Sequence, residues 1–187
     1  WSYDLLTSGE QALFAAMSMW VVALDVWQAA VQHRVWTGTD GFYVVDQMQY
    51  LAWIQSASEH LLVSNLFVLR ATPFDYFQPA VGISGALVAL GVAPWLALLL
   101  WKPVAVVGVF FAIRAYAYRT VEGPSARRAV IALGLFFGSL AFVYGSWGIV
   151  GDMMLGWLSW GYTFGLMAVA LLLFALPSYD KARGGGR

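Results

Sequence analysis

The sequence predicts an all-α fold: a polytopic membrane bundle of about four spanning helices, with an amphipathic interfacial helix in the first outer loop. Hydrophobic residues make up 61% of the 187 positions and charged residues only 11%, which leaves too little polar surface for a water-soluble fold. Four apolar segments are long enough to cross a ~30 Å hydrocarbon core, which takes roughly 20 helical residues. The basic residues gather on one side of those segments, as membrane topology requires.

The predicted spans are residues 11–32, 94–118, 128–144 and 157–176. A further apolar stretch, 79–90, is too short to span, and Pro79 before it with Gly91 and Pro94 after it predicts a short interfacial helix. Together these segments form one membrane domain, residues 1–187. The chain begins at Trp1 and ends in a run of glycines with a final Arg187, and we expect it to be part of a longer polypeptide.

The distribution of basic residues predicts the orientation of the spans. With four spans, seven bases fall on one side: Arg114, Arg119, Arg127, Arg128, Lys181, Arg183 and Arg187. Only Arg34 and Arg70 fall on the other side. By the positive-inside rule the first side is cytoplasmic. We therefore expect an integral protein of a bacterial cytoplasmic membrane, with its basic loops and C-terminus in the cytoplasm.

Charge and cysteine content exclude several classes of function. The formal net charge is zero, and no basic cluster interleaves with aromatic residues, so nucleic-acid binding has no support. The chain contains no cysteine, which excludes disulfides, thiolate metal sites and cysteine nucleophiles.

The first outer loop, residues 33–78, opens with a polar segment, TGTDGFYVVDQMQ at 37–49. From its second acid onward, side chains recur at intervals of three and four residues, which predicts an amphipathic helix over about 46–60. The members of this stripe are Asp46, Gln49, Trp53, Ser56 and His60. The stripe either faces water or lines a site. Asp40 precedes a glycine, so a turn competes with a catalytic role there.

The arrangement of these segments resembles the membrane glycosyltransferases of the GT-C superfamily. The resemblance is carried by one N-terminal span, the acidic motif at 37–67, the short helix FQPAVGISGALVALG at 77–91, and GDMMLGWLSWGYTFGL at 151–166. It implies transfer of a sugar from a polyprenyl-phosphate donor to an acceptor on the outer face. The family often has paired acids where this chain has Asp46 followed by Gln47. Members are also usually longer, so this chain corresponds to an N-terminal portion.

On this reading Asp46 is the principal catalytic acid, because a carboxylate can take the proton of an attacking acceptor hydroxyl. Asp40 and Asp152 are further catalytic candidates, and Asp46 with Asp152 would hold a divalent cation if one takes part. Gln49 and His60 are candidate substrate ligands. Arg70 suits the phosphate of the donor, since its planar guanidinium matches phosphate oxygens.

Two other classes stay open. Asp25 and Lys102 both lie within predicted spans at equal depth and predict a buried structural pair, although intramembrane charges also occur in ion-coupled transporters. The glycine spacings 134–138 and 161–165 favour close helix approach, as in a non-catalytic membrane subunit. The sequence leaves the sugar, the acceptor and the oligomeric state undetermined.

Overall fold

The computed structural model describes residues 6–33, 44–66, 68, 70–136 and 163–184, with the backbone alone for 20–25, 28 and 44–46. Within these residues the structure has seven α-helices and no strand. The helices are α1 (Ser8–Val26), α2 (Val44–Ala57), α3 (Pro79–Ala89), α4 (Pro94–Leu99), α5 (Trp101–Thr120), α6 (Pro124–Phe136) and α7 (Thr163–Gly184). A π-helical turn, Trp27–Val31, continues α1. The all-α prediction is confirmed for the described part of the chain.

Two helical segments are long and apolar enough to cross a membrane. They are Pro94–Thr120, with 27 residues, and α7, with 22 residues. At 1.5 Å per residue these correspond to about 40 Å and about 33 Å, which exceeds the hydrocarbon thickness. The first agrees with the predicted span 94–118. The second overlaps the predicted span 157–176 but continues to Gly184, and residues 157–162 lie outside the described residues. The first of them is interrupted at Leu100, because Pro103 has no amide hydrogen to bind the carbonyl of Leu99.

Four spans are not supported by the described residues. Where the sequence predicts a span over 11–32, the structure has α1 and its π-helical turn, which do not meet the same test of length and apolarity. Where it predicts 128–144, the structure has α6, which starts earlier at Pro124 and is described as far as Phe136. Residues 137–144 of this predicted span lie outside the described residues.

The chain divides into two compact units, residues 1–33 with 103–187, and residues 34–102. In the first unit α1, α5, α6 and α7 share an apolar core in which Phe110, Val109 and Ile131 are fully buried. Phe14 meets Phe110 edge to face, with ring centroids 5.0 Å apart. Edge-to-face contact is a preferred geometry of aromatic pairs and adds to the hydrophobic stabilisation of this core.

The second unit packs α2, α3 and α4 around a smaller core. Its buried apolar residues are Trp53, Ile54, Ala57, Val63, Val81 and Ala97. Pro79 and Pro94 each stand in the first turn of their helices, where a missing amide hydrogen costs nothing. Gly91 ends α3 with φ of 95°, a conformation that favours glycine. The helices predicted over 46–60 and 79–90 thus correspond to α2 and α3.

The predicted polar stripe of α2 is wrong at two positions. Trp53 is only 7% exposed and belongs to the core of the second unit instead of a water-facing stripe. Its indole Nε1 donates a 3.0 Å hydrogen bond to the carbonyl of Ser64, so its polar edge is satisfied inside the unit. His60 lies beyond the helix, because the chain turns at Ser58 and Glu59. The face of α2 that contains Trp53 is therefore turned toward protein.

The close contact between α2 and α3 requires a glycine at position 85. A β-carbon there would lie 2.6 Å from both the carbonyl carbon and the β-carbon of Ala57. We expect Gly85→Ala to push the two helices apart and to lower the free energy of unfolding by about 1–3 kcal/mol, as overpacking does in other cores. Denaturant unfolding of the purified protein in detergent, followed by circular dichroism, measures the change.

Gly82→Ala is the matched control on the same helix. A β-carbon at Gly82 would meet only the Phe77 ring, at 3.4 Å, which is ordinary contact, and alanine favours a helix over glycine by about 1 kcal/mol. Gly82→Ala is expected to leave stability unchanged or to raise it. Equal effects of the two substitutions would contradict the tight α2–α3 contact.

Candidate functional site

Asp46, the principal predicted acid, lies in the first turn of α2. By helical register its position shares a face with Gln49, Tyr50 and Trp53, since residues three, four and seven apart fall on one side. Trp53 is buried on that face and Tyr50 packs against the same core. The α2 face that carries position 46 is therefore a protein-facing surface along much of its length.

Gln49 contains an unsatisfied buried donor. Its side-chain amide Nε2 is shielded from solvent and makes no hydrogen bond within the described part of the chain. Gln78, the residue just before α3, has a buried Oε1 acceptor that also makes no hydrogen bond within the described residues. A buried polar group without a partner costs about 1–3 kcal/mol, and native proteins tolerate few of them. The Gln49 amide is therefore a candidate for binding a hydrogen-bond acceptor that lies beyond the described residues.

His60 and Arg70 lie in the loop between α2 and α3. His60 is exposed and its ring lies 4.4 Å from the ring of Phe74, tilted by 42°. Arg70 is also exposed. Both side chains are accessible to a ligand, and their assignment as substrate ligands stays a prediction.

Several predicted site residues lie outside the described structure. Asp40 and Asp152 fall in segments that it does not describe, and for Asp25 only the backbone, within α1, is described. Lys102 is 5% exposed near the start of α5. The proposed Asp25–Lys102 pair is thus untested. Within residues 6–33, 44–66, 68, 70–136 and 163–184, no group of three or more His, Asp or Glu side chains is placed to hold a metal ion.

An ionic cluster around one buried carboxylate, which sequence reasoning missed, lies in the first unit. Glu10 is 1% exposed, and its carboxylate accepts a 2.8 Å hydrogen bond from Nε of Arg114. The guanidinium of Arg114 also lies over the ring of Tyr118, 4.4 Å from its centroid, and that of Arg127 lies 4.5 Å from the same centroid. This cluster, Glu10, Arg114, Tyr118 and Arg127, links α1, α5 and α6.

Thr7 fixes the orientation of the Glu10 side chain. The Thr7 backbone amide donates to Glu10 Oε2 at 2.9 Å, and the Glu10 amide donates to Thr7 Oγ1 at 3.4 Å. These reciprocal bonds form a capping box at the start of α1. The signal Thr-Ser-Gly-Glu at 7–10 was available in the sequence, but its partner Arg114 lies 104 residues away.

The hydrogen bonds around Glu10 keep its carboxylate charged. Burial raises the pKa of the Glu10 carboxyl, but donors from the Thr7 backbone, Arg114 and Tyr118 outweigh burial and hold the pKa below its usual range. Glu10 precedes the apolar part of α1, which begins at Gln11. A carboxylate held by three different donors is a structural anchor, because it has little remaining capacity to accept a substrate proton.

The chain matches no family model, no curated protein and no solved structure.

Proposed function

We propose that the chain is an integral membrane glycosyltransferase that moves a sugar from a polyprenyl-phosphate donor to an acceptor on the outer face of the membrane. Support comes from two apolar helices of membrane-spanning length and from the resemblance of the 37–67 and 77–91 segments to GT-C enzymes. In this proposal α1 and the α6 region supply the remaining spans, and the basic loops face the cytoplasm.

One observation carries the proposal beyond resemblance: the buried, unpartnered Nε2 of Gln49. This donor lies one helical turn from Asp46 on α2. An amide donor beside a carboxylate suits a sugar or acceptor hydroxyl, which can accept from the amide and donate to the acid. A hydroxyl ligand would therefore satisfy the orphan donor and approach a general base at the same place.

The proposed reaction is a displacement at the anomeric carbon. Asp46 takes the proton of the acceptor hydroxyl as its oxygen bonds to that carbon, and the bond to the polyprenyl phosphate breaks with departure of the phosphate. The leaving phosphate gains negative charge and needs a cation, a role that suits the exposed guanidinium of Arg70. Asp40 and Asp152 would orient the acceptor.

The glycine spacing behind the subunit alternative has an internal explanation at one position. A β-carbon at Gly134 on α6 would lie 3.2 Å from Cγ2 of Ile113 on α5. The surface of α6 at Gly134 is thus packed against α5 of the same chain. This contact favours the enzyme proposal over a subunit that needs the same face for a partner.

Gln49→Leu tests the ligand role of the amide. We expect sugar transfer to fall by about 2- to 12-fold, because one hydrogen bond to substrate is worth roughly 0.5–1.5 kcal/mol and every 1.4 kcal/mol is tenfold. At the same time the free energy of unfolding should hold or rise, because leucine removes a buried unsatisfied donor. Transfer is measured in membranes with labelled polyprenyl-phosphate sugar, and stability by denaturant unfolding.

Gln55→Leu is the matched control, since Gln55 is exposed on the same helix. It should leave transfer unchanged. If Gln49→Leu lowers stability and leaves transfer intact, the amide is a structural group and the ligand role is excluded.

A further inference from the structure

The loop between α2 and α3 is fixed to the second unit by several contacts. Val63 and Tyr76 exchange backbone hydrogen bonds of 2.9 and 3.1 Å in an antiparallel bridge. Inside that bridge the amide of Asn65 donates to Oγ1 of Thr72 at 3.0 Å. Trp53 on α2 also donates a hydrogen bond from its indole Nε1 to the carbonyl of Ser64 in the loop. These contacts hold the loop in one arrangement, so its outward surface is a defined feature of the fold.

That outward surface is rich in apolar residues and also contains the exposed Asn65, Arg70 and Asp75. We call it the loop face, defined by seven exposed hydrophobic residues. They are Leu61, Leu62, Leu66, Val68, Phe74, Tyr76 and Phe77. Leu61 is 72% exposed and Phe77 53%. Scattered exposed apolar residues are normal, but this density within 17 residues of sequence marks an interaction surface.

The loop is linked through α3 to the N-terminal part of the spanning segment Pro94–Thr120. Nε1 of Trp101, in that segment, donates to Oγ of Ser84 on α3 at 2.8 Å. The next residue of α3, Gly85, touches Ala57 at the end of α2, and the loop follows Ala57 directly. α2 also packs directly against α4, the N-terminal helix of that segment, and Ala57 and Ala97 belong to the same core. The base of the loop is thus packed with the N-terminal part of the segment in one compact unit.

The residue types in the loop match a bilayer interface. Tyr76 is of a type enriched where lipid meets water, and Phe74 and Phe77 are of a type found on the apolar face of interfacial segments. Residues 61–77 contain one acid, Asp75, and one base, Arg70. A long arginine side chain can keep its charge in the headgroup layer while its stem lies along apolar surface. These residue types, in the unit that contains the N-terminal part of the candidate spanning segment, favour lipid over a soluble partner protein.

We propose that the loop face inserts into the outer leaflet at the boundary between headgroups and acyl chains, roughly 5–10 Å deep, and anchors the second unit on the bilayer. This inference rests on the membrane insertion in the proposed function. The anchor holds α2, with Asp46 and Gln49, at the membrane surface. A lipid-linked substrate presents its phosphate at that surface.

Because the chain contains no cysteine, a single introduced cysteine can be labelled without background from native thiols. Single cysteines replace Leu66 on the loop face, Glu59 at the base of the loop, and Leu171 on α7, all of which are exposed. Each is labelled with an environment-sensitive fluorophore in the full chain reconstituted into phosphatidylcholine vesicles. Quenching is compared for aqueous iodide, lipids with a nitroxide near the headgroup, and lipids with a nitroxide deep in the acyl chain.

We expect the Leu66→Cys label to lose most of its emission to the shallow nitroxide and little to iodide. The Glu59→Cys label should respond to iodide, and the Leu171→Cys label to the acyl-chain nitroxides. Leu61→Cys provides a second loop position and should behave like Leu66→Cys.

Three results would overturn the inference, and they differ from one another. If the loop labels respond to iodide while the Leu171→Cys label responds to lipid, the loop faces water although the membrane insertion stands. If the loop labels are shielded from iodide and lipid alike, protein covers the loop face. If the Leu171→Cys label responds only to iodide, the membrane insertion itself fails and the loop anchor fails with it.

Discussion

Replacing Glu10 with glutamine is expected to lower the free energy of unfolding by about 3 kcal/mol, at the lower end of the range for breaking a buried ion pair. Glu10 is almost fully buried and carries the counter-charge of Arg114, which is 25% exposed. Glutamine keeps the shape, but its single amide oxygen can accept from Thr7 or from Arg114 and not from both, so the loss combines the charge with one set of hydrogen bonds. Denaturant unfolding of the purified protein in detergent gives the value.

Glu122→Gln is the matched control, because Glu122 is an exposed acid just after α5. It should change stability by less than about 0.5 kcal/mol. The double variant Glu10→Gln with Arg114→Met should recover part of the loss, since it removes the unpaired cation. Additive losses in the double variant would contradict an energetic coupling between the two side chains.

The same cluster predicts how stability depends on pH. The pKa of Glu10 is lower in the folded protein than in the unfolded chain, so the contribution of its charge is complete above the unfolded value, about 4.3. It is lost as the pH falls through the folded pKa. The wild-type protein should therefore lose more stability in acid than Glu10→Gln does. If the free energy of unfolding fell equally with decreasing pH in the wild-type protein and in Glu10→Gln, this assignment would be contradicted.

The helices could be predicted because their boundaries depend on local chemistry. Pro79 and Pro94 begin helices and Gly91 ends one, and these residues act through backbone geometry that the sequence alone determines. The apolar lengths of 94–120 and 163–184 are likewise visible in composition. The predicted span 128–144 can be compared with the structure only as far as Phe136, where the described part of α6 ends.

Long-range packing could not be predicted from periodicity. Trp53 is spaced along α2 like the polar residues of the predicted stripe. In the structure it is buried in the core of the second unit and hydrogen-bonded to the carbonyl of Ser64. The role of Glu10 depends on Arg114, which lies 104 residues later in the sequence and contacts it only in the folded protein. The glycine at 85 has no sequence signal, because its role depends on the approach of Ala57. These features arise from tertiary contacts that override local preference.

The candidate site was predicted in outline only. Asp46 and Gln49 share one helix because their spacing is helical, and the buried state of the Gln49 amide came only from the fold. Whether Asp40 or Asp152 approaches Asp46 depends on segments outside the described residues. The roles of these acids follow from chemistry and stay predictions.

Asp46→Asn is expected to lower sugar transfer by about 10²- to 10⁴-fold, the contribution of a positioned general base. Asparagine is nearly isosteric and cannot accept a proton at neutral pH, so the helix should persist while the chemistry stops. Asp75→Asn is the matched control, since Asp75 is an exposed acid in the loop of the same unit. It should retain transfer.

The most direct test measures the polyprenyl phosphate released from a panel of polyprenyl-phosphate hexoses in native membranes that contain the full-length protein. Release is common to every acceptor, so it reports transfer before the acceptor is identified. Our account predicts release with the wild-type protein and with Asp75→Asn, and almost none with Asp46→Asn present at equal amount. Equal release with and without the Asp46 carboxylate, or no release above membranes that lack the protein, would contradict it.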